Sequence, residues 1–129
     1  MDVAGSISTA PLSLNTIQID AADPLALAWF WSAVLGVPVN PGSTTDSASL
    51  VTSNRIPSLV FTRTEEPKIW RNRISFRFVS DDTDAHLGRL FEMHVPFIRT
   101  AGGPSGTTTW EFLDPEGNEF TLSERSTLP

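Results

Sequence analysis

An α+β domain built from two tandem βαβββ modules is the fold this sequence predicts, and three observations carry it. A strand, a tight turn and a second strand are legible in residues 110–122. An apolar stripe at helical spacing follows Asp23. The order of extended and helical segments in the first half returns in the second, at a repeat of roughly 58 residues between the two opening strands.

Residues 1–11 are small and polar and are expected to form a loose arm. Residues 14–20 alternate at the period of a half-buried strand, with Ile17 and Ile19 on one face and Thr16, Gln18 and Asp20 on the other. Asp23-Pro24 then supplies an N-cap with proline in the first turn. Leu27, Phe30, Trp31, Val34 and Leu35 follow at i, i+3, i+4, i+7 and i+8, one continuous stripe that Gly36 ends. Trp29 lies roughly opposite that stripe, so the helix is apolar on two sides, as a helix at a subunit interface would be. Short extended segments are expected at 37–40, 47–52 and 58–63, and 64–68, with Glu65-Glu66-Pro67, reads as a linker.

The second half begins with an alternating run at 72–80, Ile74, Phe76 and Phe78 against Arg73, Ser75 and Arg77. Asp81-Asp82 can start a helix on which Leu87, Leu90 and Phe91 share a face, and which Pro96 closes. Both histidines, His86 and His94, are expected on it. Strands are expected at 95–100, 107–114 and 118–123, the last two joined by Asp114-Pro115-Glu116-Gly117. That tetrapeptide has Asp first, Pro fixing φ second and Gly fourth, the pattern of a tight turn. The reading is thus one domain over 12–124, with module one at about 12–63, module two at about 72–124, and 125–129 as a tail.

The 129 residues suffice for one domain with a core. A net charge of −6 argues against a phosphate-binding surface, and no nucleic-acid partner is expected. With no cysteine there is no disulfide, thiolate metal site or cysteine nucleophile. No apolar run approaches the roughly 20 residues of a membrane span, and residues 1–11 lack the pattern of a signal peptide, so no membrane partner and a cytoplasmic address are expected.

Three segments, 17–31 with Leu35-Gly36, then Pro67-Lys68 with Arg71-Asn72-Arg73, and 114–122, resemble the small bacterial glyoxalase-like proteins of the vicinal oxygen chelate superfamily. That superfamily includes glyoxalase I, bleomycin-resistance proteins, fosfomycin-resistance enzymes and extradiol dioxygenases. The resemblance implies a curved mixed sheet around a cavity, and a homodimer. In enzymatic relatives one divalent metal sits on the inner face, held by His, Glu or Gln. Here the matching positions carry Ser75, Thr121, and Thr16 or its neighbour Asn15, hydroxyl or amide groups that make poor ligands for zinc, nickel or iron. No metal ligand set and no cofactor are therefore expected.

If Ile17 and Ile19 face the helix, then Thr16, Gln18 and Asp20 face the cavity, joined by Arg73, Ser75 and Arg77, and by Glu119, Thr121 and Ser123 on the last strand. An arginine there suits a carboxylate or phenolate, unless Arg77 is consumed by pairing with Asp20 or Glu119. Trp110 and Trp70 are candidate stacking platforms at the rim. The leading expectation is binding of a small organic molecule in a metal-free cavity, in the manner of a bleomycin-resistance protein. The alternative is a lyase, isomerase or dioxygenase on a vicinal-oxygen substrate, with or without a divalent metal. Either unanticipated ligands hold the metal, or Glu119, Asp20 and Arg77 do the acid–base work.

Overall fold

The alternating run that opens the first half forms β1 (Thr16–Ala21), with Ile17, Ile19 and Ala21 turned to the core and Thr16, Gln18 and Asp20 exposed. The structure is a computed structural model and describes residues 14–52, 56–66, 75–102 and 106–125. The expected N-terminal arm, Trp70, Arg73 and residues 126–129 lie outside these.

Helix α1 (Pro24–Leu35) is capped as its sequence demands. The Asp23 carboxylate accepts from the Ala26 N–H at 3.2 Å, and Gly36 takes the left-handed conformation (φ 72°) that ends it. Leu27, Ala28 and Trp31 are buried, whereas Trp29 is 60% exposed. Two short strands complete module one, β2 (Ser47–Ser49) and β3 (Ser58–Arg63), in the order β1-β3-β2, with β1 and β3 parallel. The strand expected at 37–40 is reduced to one bridge between Val39 and Leu50. Pro38 has no N–H to give a ladder, and the Val37 N–H is spent on the carbonyl of Ser32 at the end of α1.

Module two repeats the plan with a full sheet. Strands β4 (Phe76–Ser80), β5 (Phe97–Gly102), β6 (Thr108–Leu113) and β7 (Glu119–Glu124) are ordered β4-β7-β6-β5, with β4 and β7 parallel. Helix α2 (Thr83–Glu92) starts at Asp82, whose carboxylate accepts from the Ala85 N–H, and ends earlier than expected. His94 is therefore off the helix, in left-handed backbone at φ 58°. This conformation costs a non-glycine residue about 1–2 kcal/mol. The turn it makes seats Val95 in the core, with the Val95 N–H on the Leu90 carbonyl. Leu90 is buried, but Phe91, expected beside it on the inner face, is half exposed. His86 stays on the helix, and its Nδ1 meets the buried hydroxyl of Ser80.

Among the described residues the modules meet at an aromatic cluster and at a polar contact. Trp31 of α1 is 2% exposed and inserts among module-two rings, 4.9 Å from Phe120 and 5.4 Å from Phe76, both nearly edge-on. Phe112 stacks on Phe120 beneath it at 5.6 Å. The second contact is polar. In the 114–117 turn the carboxylate of Asp114, only 4% exposed, accepts from the Glu116 and Asn118 backbone N–H groups and from the Asn118 side-chain amide. That turn aims Glu116 at module one, where its two oxygens accept from the N–H groups of Ala22 and Asp23 at 2.7 and 2.8 Å. A carboxylate so placed satisfies donors and complements the positive end of α1. No helix among the described residues is long and apolar enough to cross a membrane.

Glu116→Ala should cost about 1–3 kcal/mol, since it orphans two backbone donors joined to a charged acceptor. Glu116→Gln, which keeps one carbonyl oxygen, should recover part of that loss; urea denaturation of the three proteins checks both.

Candidate functional site

Because β-strand side chains alternate, the ladder registers alone define the face of the module-two sheet turned away from the helices. Arg77 pairs with Thr121, Thr121 with Glu111 and Glu111 with Arg99, so these four form one row across β4, β7, β6 and β5. One step along, Val79, Ser123, Thr109 and Ala101 form a second row, about 7 Å away at the usual rise of two residues. Ser75 and Glu119 lie at the other end. Together these side chains line an open cavity of about 700 Å³.

The polar groups of this floor are unequally satisfied. The hydroxyls of Thr109 and Ser123 lie 2.7 Å apart and bond each other. The Arg99 guanidinium donates to the Glu111 carboxylate at 3.2 Å, and Arg125 at the rim pairs with Asp81. The Thr121 hydroxyl oxygen is buried and without a hydrogen-bond partner among the described residues. Arg77 is exposed and has no ion pair among the described residues, so the self-satisfying network with Asp20 or Glu119 is not formed.

Of the residues expected in the cavity, Ser75, Arg77, Glu119, Thr121 and Ser123 line it. Thr16, Gln18 and Asp20 do not. They are exposed on the corresponding face of β1, in a different sheet, and within one chain Asp20 and Glu119 are not brought to a common site. Trp110 is a correction: its register partner is Leu122, which puts it on the helix-packed face, against the core. Arg73 and Trp70 lie outside the described residues.

Arg99, Glu111 and Thr109 line the cavity and were not expected there. For Glu111 and Thr109 the signal was in the turn. A hairpin closed over 114–117 sets Glu111 opposite Thr121 and Trp110 opposite Leu122, so that placing Thr121 in the cavity requires Glu111 there and excludes Trp110. Arg99 had no such signal. The β5–β6 register shifts between Phe97 and Arg99, so Phe97 faces Phe112 in the core while Arg99, two residues on, faces the cavity.

A divalent metal of the kind held by enzymatic relatives does not fit this donor set. Ser75 and Thr121, which the resemblance matches to ligand positions, line the cavity with hydroxyl oxygens, and the described residues contain no cluster of three His, Cys, Asp or Glu able to hold one. Neither His86 nor His94 lines the cavity.

Comparison with known proteins fits this architecture. The model of a glyoxalase-like domain matches residues 16–123. No curated protein sequence matches the chain significantly. Similar solved structures include TioX from Micromonospora sp. ML1, with TM-score 0.65 and 18% identity over 88% of this chain and 99% of that one. A lactoylglutathione lyase from Agrobacterium tumefaciens gives 0.64 and 18% over 88% and 94%. The fosfomycin resistance protein FosX from Mesorhizobium loti gives 0.67 and 13% over 93% and 96%. At these identities the structures speak for the fold. With the family model spanning both βαβββ modules, the chain belongs to the glyoxalase-like domain family of the vicinal oxygen chelate superfamily.

Proposed function

We propose that this protein binds a small organic molecule on the concave face of module two, without a resident metal, and does so as a homodimer. The observation that carries the reading is the cavity itself. Its volume of about 700 Å³ falls in the range of small-molecule sites, and its floor is a fixed array of hydroxyl, guanidinium and carboxylate groups on paired strands. Binding needs only such a shaped, polar surface, whereas the metal chemistry of enzymatic relatives needs ligands that Ser75 and Thr121 do not supply. The solved neighbours include a lyase and a fosfomycin resistance protein, so the fold hosts both turnover and drug resistance and does not choose between them.

The dimer is supported by what one chain leaves open. Among the described residues the cavity is lined by module two alone, and Thr16, Gln18 and Asp20 face away from the helices on β1 of the other sheet. Strands β1 and β4 each have one described neighbour, leaving an edge able to pair. Trp29 adds an exposed indole on α1. A second copy that set its β1 beside β4 would bring Thr16, Gln18 and Asp20 over the open side of the cavity.

Three measurements test the proposal. In ¹⁵N-resolved NMR with a mixture of small aromatic fragments, the amides of Arg77, Thr109, Glu111 and Thr121 should shift together and saturably; shifts scattered over the surface would remove the site. After incubation with nickel, zinc, manganese and ferrous iron followed by dialysis, mass spectrometry should find metal well below one per chain, and a stoichiometric ion would overturn the metal-free reading. Sedimentation velocity at micromolar concentration should show a species of twice the 14.1 kDa chain, and a monomer would dismiss the second copy as the cover of the cavity.

A further inference from the structure

Resting on the proposed ligand site above, the geometry points to a ligand class: we infer that the cavity takes an organic anion, a planar carboxylate held between the Arg77 guanidinium and the Thr121 hydroxyl. Arg77 and Thr121 are register partners on the parallel strands β4 and β7, so both side chains leave the sheet on the same face from neighbouring positions, about 4.8 Å apart at the usual strand spacing. One offers a fork of N–H donors with no ion-pair partner among the described residues. The other offers a buried O–H without a partner among the described residues, the arrangement that folding alone disfavours and a ligand acceptor would satisfy.

The remaining charge in the same row is already neutralised. Glu111, next across from Thr121, is bound by Arg99 at 3.2 Å, and this ion pair offsets the repulsion that Glu111 would present to a second carboxylate. In the next row the hydroxyls of Thr109 and Ser123 satisfy each other, and their outer neighbours are the apolar Val79 and Ala101. A carboxylate set on the first row would therefore lay its carbon skeleton over a row with little unmet hydrogen-bonding demand. Val79, 54% exposed, is the apolar surface available to it.

The test uses three probes of one shape and different charge: benzoate, benzamide and benzylammonium, titrated into the ¹⁵N-labelled protein and into Arg77→Ala, Arg77→Lys and Thr121→Val. Benzoate should bind at the cavity at least tenfold more tightly than benzamide, with no site-localised shift from benzylammonium, since a charge-assisted fork is worth about a factor of ten or more. Arg77→Ala should weaken benzoate about tenfold, and Arg77→Lys, which keeps charge but loses the fork, should fall between. Thr121→Val should act in opposite directions on two readouts, weakening benzoate severalfold while raising the melting temperature, because it removes an unpartnered buried hydroxyl. A lower melting temperature in Thr121→Val would mean the hydroxyl serves the fold, and would overturn the inference. Equal binding of benzoate and benzamide at the cavity would overturn the anion while leaving the pocket. No cavity shift from any of the three would overturn both.

Discussion

The buried carboxylate of Asp114 fixes the turn on which the rest of the molecule is aligned. By taking three hydrogen bonds from within residues 116–118 it stops the β6–β7 hairpin from sliding, and a slip of one residue would exchange the two faces of both strands. The face that results puts Phe112, Phe120 and Leu122 in the core, and Glu111, Thr121 and Ser123 in the cavity. The same turn presents Glu116 to the backbone that enters α1. A local arrangement of four residues thereby decides both where the site is and how module one sits against module two.

What the turn aligns, the aromatic layer holds. Trp31 belongs to the helix of module one but fills space between the phenyl rings of module two, and burying one such side chain outweighs any single polar contact on the surface. The two sheets share this layer although their strands do not pair with each other among the described residues. Module one contributes its helix more than its sheet. Pro38 has cut its outer strand to a bridge, and β2 beside it has only three residues.

The fold was legible because its signals are local and repeat: the Asp23 and Asp82 caps, the Gly36 stop, the turn at 114–117 and the period of two in β1, β4 and β7 each act within a few residues. The lining of the cavity was legible to the extent that alternation reached it, which brought Ser75, Arg77, Glu119 and Thr121 into view. Trp110 was misplaced because its bulk suggested a stacking platform while its register, set by the turn, assigns it to the core. Arg99 was missed because a bulge resets parity without a residue that announces it. Thr16, Gln18 and Asp20 were read correctly as leaving the helix side of β1, but no pattern in a chain says which of two sheets a cavity will use. His94 looked helical because its strained backbone is compensated by a neighbour, Val95, rather than by anything in its own side chain.

The separation of the module-two sheet into an apolar layer and a polar floor divides labour between inheritance and novelty. Phe76, Phe112 and Phe120 pack with Trp31 of α1 on one side of the sheet, and Arg77, Thr121, Glu111 and Arg99 line the cavity on the other. Because few side chains answer to both demands, the floor can be rewritten one residue at a time while the scaffold persists. The lining of the cavity can in this way change its chemistry without the chain passing through an unfolded intermediate form.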